Sequence, residues 1–311
     1  MYTGSKGDRV NIDWGYLYLS ATEDSPVWAG SLSTARMAFV STGASPTQPD
    51  ARTPRACGDD LPGLSTVFSL AGDGSTHTIV WGYDDVQSVN YFKSNFAGLW
   101  TKFYENGLPE ALAAAEQEHD EMLDKSLRND EAVLTRVRNS VIAVGGSQVM
   151  AGKYAQLCSL SYRQTLAATK LVWNHELNTS WNFLKEISTN GDMSTMDVIY
   201  PASPFFLFTD PELLRQLLVP VLEYAFNSTY IHFDDLYSPH QLGTYPIGDA
   251  STASQEPMPL ENSGNMIFML LGLVQRTSDA SWLLKYWPML VTWVDEIAST
   301  AQFPASQICK D

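Results

Sequence analysis

The 311-residue chain has three cysteines, few basic residues and no long apolar run. Cys57, Cys158 and Cys309 lie far apart and form no CxxC pair. That excludes a zinc ribbon or thioredoxin-type centre, and leaves room for at most one disulfide within the chain. Lys and Arg number 19 against 35 Asp and Glu, giving a formal net charge of −16. A chain this acidic repels phosphate backbones and anionic bilayer surfaces, so neither a nucleic-acid nor a membrane partner is expected. The longest apolar stretch, Met266–Val274, is half the roughly 18–20 residues that a spanning helix needs.

The common catalytic signatures are missing as well. Gly145-Gly146-Ser147 lacks the second glycine of a nucleophile elbow, and there is no Ser-x-x-Lys, GxGxxG, P-loop or HExxH. The five histidines, His77, His119, His175, His232 and His240, include no pair at the i,i+4 spacing that would set two ligands on one helix face. No metal or other cofactor is therefore expected, and a small-molecule substrate is the partner left. Nothing in the sequence specifies an oligomeric state.

What is present is apolar material in quantity: 44% of residues are hydrophobic and 17% charged, enough for one large domain or two ordinary ones. The nine tryptophans and 14 tyrosines suit a core as well as a cleft. Residues 10–100 read as β, with strands expected at Val10–Leu19, Ala35–Val40, Val67–Leu70 and Thr78–Tyr83 around a proline-rich loop, Ser41–Pro62. Short strands with turn-rich spacers suggest part of a β-sandwich. From about residue 103 the period becomes helical, over Leu108–Leu127, Glu131–Val144 and Tyr154–Trp173. A further helix is capped by Thr209 or Asp210, with Pro211 at its first position. After an irregular segment, Asn227–Glu261, the run Asn265–Val274 is apolar nearly all round, and Ala280–Thr300 is its amphipathic partner. A buried helix paired with a half-exposed one is the pattern of inner and outer helices in a toroid of hairpins. Only two or three such hairpins are readable, and both ends read as cut from a longer chain.

Polar residues gather where the chain links these helices. Asp197-Val-Ile-Tyr200-Pro supplies a carboxylate and a phenol, Ser238-Pro-His240-Gln-Leu-Gly-Thr-Tyr a histidine among turn residues, and Gln255-Glu256-Pro-Met-Pro-Leu-Glu261-Asn262-Ser-Gly-Asn265 two carboxylates and several amides. A hydrolase without a covalent serine needs one carboxylate to activate water and an acid to protonate the leaving group. Glu256 or Glu261 is the candidate base and Asp197 the acid or its orienter. Arg163, Tyr200, His240, Asn262 and Asn265 are candidates for holding substrate. Each has a plainer reading. Glu261 in a first helical turn complements the helix dipole by about 0.3–1 kcal/mol; Asp197 is equally an N-cap, His240 a loop hydrogen-bonder, and Tyr162 with Arg163 a buried polar pair. Asn178-Thr-Ser and Asn227-Ser-Thr match glycosylation sequons, at about the frequency chance gives in a chain rich in Ser and Thr.

These segments resemble a known family. Asn11-Ile-Asp-Trp-Gly-Tyr-Leu-Tyr-Leu19 is similar to the end of the first domain of fungal secreted glutaminase A. Leu160-Ser-Tyr-Arg-Gln164, Phe183-Leu-Lys-Glu-Ile187, Asp197-Val-Ile-Tyr-Pro-Ala-Ser-Pro204, Pro211-Glu-Leu-Leu214, His240-Gln-Leu-Gly-Thr-Tyr245 and Glu256–Asn265 resemble its helical domain, in order and at similar spacing. The resemblance implies an α+β multidomain protein: part of an N-terminal β-sandwich (1–100), then an incomplete six-hairpin (α/α)6 toroid (101–311). It also implies secretion to the extracellular space, without a signal peptide in this chain, and hydrolysis of L-glutamine to L-glutamate and ammonia. Relatives usually carry aspartate where Gln241 stands, which weakens a carboxylate role there. Two competing functions follow: a six-hairpin glycoside hydrolase working through paired carboxylates, and a truncated relative that binds ligand without turnover.

Overall fold

The computed structural model describes residues 14–21, 26–52, 61–69, 72, 74, 76–176, 178–186, 191–226, 237–250 and 256–303. The chain is mixed α and β, and divides into two compact units. One comprises residues 15–84 and 101–131; the other comprises 1–14, 85–100 and 132–311.

In the first unit, β1 (Tyr16–Ala21) pairs antiparallel with β4 (Ile79–Asp84), and β2 (Val27–Ser31) with β3 (Pro62–Thr66). The expected strand at Thr78–Tyr83 thus lies within a residue of β4. That at Val10–Leu19 survives as β1, its first residues falling outside those described. Two expectations fail here. Residues 67–69 are not strand; pairing with β2 ends at Thr66, and Leu70 lies outside the described residues. Ala35–Val40 is helical, inside α1 (Leu32–Thr42). Its ends decide the matter: Ser31 Oγ accepts the Thr34 N–H, and Gly43, in the left-handed region at φ 71°, donates its N–H to Phe39. Only Ala35 of that apolar run is buried, so the strand-like composition is not spent on a sheet.

Two long helices follow. Instead of a break between residues 127 and 131, α2 (Leu108–Gln117) ends at Glu118 and α3 (His119–Ala143) runs on unbroken. Pro109 opens α2, as expected. Ser147 caps α4 (Gln148–Ala167), its hydroxyl accepting the Met150 N–H at 3.2 Å.

The helix expected over Tyr154–Trp173 stops at Ala167, and Thr169 begins a hairpin of β7 (Thr169–Asn174) and β8 (Thr179–Leu184). The aromatic and β-branched residues Val172, Trp173, Trp181 and Phe183 pack on a pleated surface better than on a helix, and all four are buried. With β5 (Val89–Tyr91), β6 (Ser94–Gly98) and the two-residue β9 (Ile247–Gly248) they form a five-stranded sheet in the order β8-β7-β6-β5-β9. The β5–β9 pairing is parallel and the rest antiparallel.

Three helices complete the core: α5 (Met196–Thr209), α6 (Pro211–Phe226) and α7 (Pro259–Thr277). Two prolines inside α5 hide it from a periodicity reading. Pro204 cannot donate to the Tyr200 carbonyl four residues back; the Ser203 hydroxyl does so instead, at 2.7 Å. Asp210 stands at the start of α6 as expected, accepting the Glu212 N–H at 3.0 Å. The expected stripe of α6 is fully buried at Leu214, Leu217, Leu218, Val221 and Leu222. Across from it the Tyr91 hydroxyl donates to the Pro220 carbonyl, and Tyr91 packs edge-on against Trp181. Met266, Met269, Leu270 and Leu273 of α7 are buried, but Phe268 is 62% exposed and Leu271 51%, so α7 is not covered on every side. A short 3-10 turn, Ser281–Leu283, leads to α8 (Trp287–Thr300), the amphipathic partner, seated on α7 through Leu290 and Trp293.

Candidate functional site

The candidate residues are placed by the N-terminal ends of α5 and α7 and by the segment 237–250. Segment 191–196 lies antiparallel beside 240–245. Tyr245 donates to the Gly191 carbonyl at 2.9 Å, Met193 to Gly243 at 2.7 Å, Leu242 to Met193 at 2.8 Å, and Met196 to His240 at 2.8 Å. Gly243 is required for this approach. Its φ is 131°, and a Cβ there would lie 2.4 Å from the Ile247 carbonyl oxygen. A second tie reaches α7, where Ser263 Oγ accepts the Ser238 N–H at 2.9 Å.

The last hydrogen bond of that ladder sets His240 against the first turn of α5. Its Nε2 stands 3.6 Å from Asp197 Oδ1, with the histidine side chain 5% exposed and the aspartate 20%. Burial, the largest influence on His240, disfavours the imidazolium. The pairing with Asp197, helped by the charges of Glu256 and Asp192, outweighs it and raises the imidazole above its ordinary value. Asp197 is held below the usual carboxylate range, first by His240 and further by the backbone N–H groups of Asp197 and Val198 at the helix start, while burial opposes. Each partner thus favours the charged form of the other, and the charges of Glu256 and Asp192 favour the imidazolium further.

Of the other candidates, Glu256 is exposed just ahead of α7, while Glu261 is half-buried in its first turn, where the dipole favours its charge. Asn262 is fully buried, and neither Oδ1 nor Nδ2 has a hydrogen-bond partner among the described residues. A buried amide in that condition costs free energy on the order of 1–3 kcal/mol unless something fills the need. Asn265 is buried one turn further on. Tyr200, one turn beyond Asp197, is 39% exposed with its ring 6.5 Å from Phe268. Arg163 is exposed on α4, in a cleft lined by none of these residues. Tyr162 and Arg163 are therefore not a buried pair; Tyr162 packs edge-on against Phe205.

The structure pairs Asp197 with His240 and ties the start of α7 to the same loop, while Arg163 lines a separate cleft. Sequence reading missed Asp192, 9% exposed, and the buried pair in which the Thr195 hydroxyl donates to Glu186 Oε2 at 2.9 Å. Asp192 sits in a Ser/Thr/Asn/Gly stretch where aspartate is the ordinary turn residue, so no signal marked it. A cavity of about 500 Å³ lined by Glu212, Arg215, Thr277, Asp279 and Trp282 lies at the opposite ends of α5 and α7. Its polar groups are spent on one another: Arg215 forks onto Glu212 and lies over the Trp282 ring. Among the described residues no group of three His, Cys, Asp or Glu could hold a metal ion, and no helix is long and apolar enough to cross a membrane.

The chain is mixed α and β, with helices α5 to α8 packed around the core that carries the His240–Asp197 pair. Comparison with known proteins supplies the class. Residues 151–311, just over half the chain, match the glutaminase A six helical-hairpin domain. Residues 3–136 match a domain of unknown function, DUF5127. Glutaminase A of Aspergillus oryzae is 39% identical over 165 residues, covering 51% of this chain and 22% of that protein. A probable glutaminase of Arthroderma benhamiae is 30% identical over 280 residues, covering 84% of this chain and 30% of that protein. The chain belongs to the fungal glutaminase A family. It spans less than a third of the length of these two relatives.

Proposed function

We propose that this chain carries the amide-hydrolysing site of a secreted, extracellular glutaminase that converts L-glutamine to L-glutamate and ammonia. Its helical part, on this reading, belongs to an (α/α)6 toroid and its N-terminal β region to a β-sandwich. The observation that carries the reading is the buried His240 paired with Asp197 at 3.6 Å. Amide hydrolysis needs a base for water and a proton for the departing nitrogen. Glu256, the exposed carboxylate ahead of α7, takes a proton from water as the oxygen attacks the carboxamide carbon. The C–N bond then breaks as His240 gives its proton to the leaving nitrogen, which departs as ammonia. Asp197 holds the imidazolium in place and charged. Asn262 matches a carboxamide, whose oxygen and N–H groups complement the unspent donor and acceptor of its own amide.

Ammonia release from L-glutamine tests this directly. His240→Asn and Glu256→Gln are each expected to lower kcat by about 10²–10⁴-fold, the range for losing a general acid or base. Full activity in both variants would remove the assignment. Release of reducing sugar from oligosaccharides, with no ammonia from glutamine, would turn the reading to glycoside hydrolysis.

A further inference from the structure

A separate cleft, lined by none of the residues around His240, lies between α3 and α4. Gly152, Gln156, Ser159 and Arg163 fall at i, i+4, i+7 and i+11 of α4, one stripe of a helix, and Leu134 and Arg138 at i and i+4 of α3. Together with Ala155 and Leu160 these residues line a cleft of about 450 Å³. A face between two close-packed helices is ordinarily filled by apolar side chains at this spacing, whereas the α3–α4 face is only sparsely packed. Here it carries two guanidinium groups, an amide and a hydroxyl, with no carboxylate in the lining.

None of these four polar side chains makes a hydrogen bond, ion pair or ring contact with a described residue. The other basic residues of α3 are engaged: Lys125 pairs with Glu121, Arg128 with Asp124, and Arg136 lies over the Phe208 ring. Room is provided at Gly152, where an added Cβ would meet nothing within 4 Å. Leu134, Ala155 and Leu160 supply apolar wall. We propose that this cleft binds a small organic oxyanion, its carboxylate or phosphate head held by Arg138 and Arg163 and its apolar body laid against Leu134 and Leu160. Paired guanidinium groups favour planar, charge-assisted recognition of such heads. The volume falls in the range of ligand pockets, and is larger than a bare inorganic anion fills.

Calorimetric titration of the 311-residue chain with octanoate, octyl phosphate and octan-1-ol tests the proposal. Octanoate or octyl phosphate should bind at least tenfold more tightly than octan-1-ol, and whichever binds better identifies the head group. The Arg138→Gln/Arg163→Gln double variant should bring the anion down to the affinity of the alcohol. Gly152→Leu, which keeps both charges but fills the space, should weaken it by a similar factor. All three positions are outside the packed core, so circular dichroism should show an unchanged fold. Equal binding of alcohol and anions, or anion binding unaffected by the double variant, would overturn the proposal.

Discussion

Helices α3 and α6 form for different reasons. The 16 residues of α6 include eight that are buried, among them Leu214, Leu217, Leu218, Val221 and Leu222. The 25 residues of α3 include none. Tertiary packing specifies α6 despite Pro220 in its interior. Local terms carry α3: no proline or glycine, acidic Asp120 and Glu121 in the first turn, and i,i+4 pairs Glu121–Lys125 and Asp124–Arg128. Packing and local propensity are thus separable within one chain. The candidate catalytic group sits on the packed side of that division and the oxyanion cleft on the exposed side.

The largest effect expected from this contrast is in core truncation. Leu218→Ala on α6 removes a fully buried side chain from a packed cluster and should destabilise by about 2–5 kcal/mol. Leu127→Ala on α3 truncates a leucine that is 59% exposed and should stay within about 0.5 kcal/mol. Paired denaturant titrations measure both. Equal losses at the two positions would mean that α3 is packed in solution against something that buries Leu127.

A smaller effect concerns pH, and its sign follows from the two directions of shift. His240 is raised above its ordinary 6.5, so its contribution to stability is fully present below that value and is lost as pH climbs through the folded value. Asp197 is lowered beneath 3.8, so its contribution is present above 3.8 and fades as pH falls through the folded value. Between these limits the pair is intact. Thermal unfolding of the wild type against His240→Asn from pH 4 to pH 9 should therefore show a gap that narrows above about pH 6.5. Since the aspartate retains solvent contact, the gap is smaller than a fully buried pair would give. A gap that is constant across the whole range would mean that His240 does not carry the charge in the folded protein.

The same division governs what could be read in advance. The stripe and cap of α6 were legible because periodicity and an Asp-Pro start are local signals that burial then reinforces. The family was legible through ordered motifs; the polar residues between apolar helices singled out Asp197 and His240, which the structure pairs. The β7–β8 hairpin was not, because Thr169–Asn174 continues the apolar character of α4 and only pairing with Thr179–Leu184 distinguishes strand from helix. Helix α5 hid behind its two prolines, and α1 behind a strand-like run whose caps decided the outcome. Asp192 and Glu186 could not be read at all. Their place depends on long-range contacts of the segments that carry them, which no local spacing encodes.

The smallest effect distinguishes the two kinds of helix most sharply, because it applies the same chemistry to both. Asp210 accepts the Glu212 N–H at the start of α6, and Ser147 accepts the Met150 N–H at the start of α4. Replacing either acceptor by alanine costs about 0.5–2 kcal/mol of helix stability. In α6 the first turn unravels only by releasing Leu214, which belongs to the core cluster, so the cost of Asp210→Ala should appear as a lower global unfolding midpoint. In α4 only Ala151 and Ala155 are buried, so the first turn can open while the core stays folded. Ser147→Ala should then leave the midpoint nearly unchanged while amide exchange at residues 148–151 speeds up severalfold. If Ser147→Ala instead lowers the midpoint as much as Asp210→Ala, α4 unfolds together with the core, and the contrast between packed and locally held helices fails at that helix.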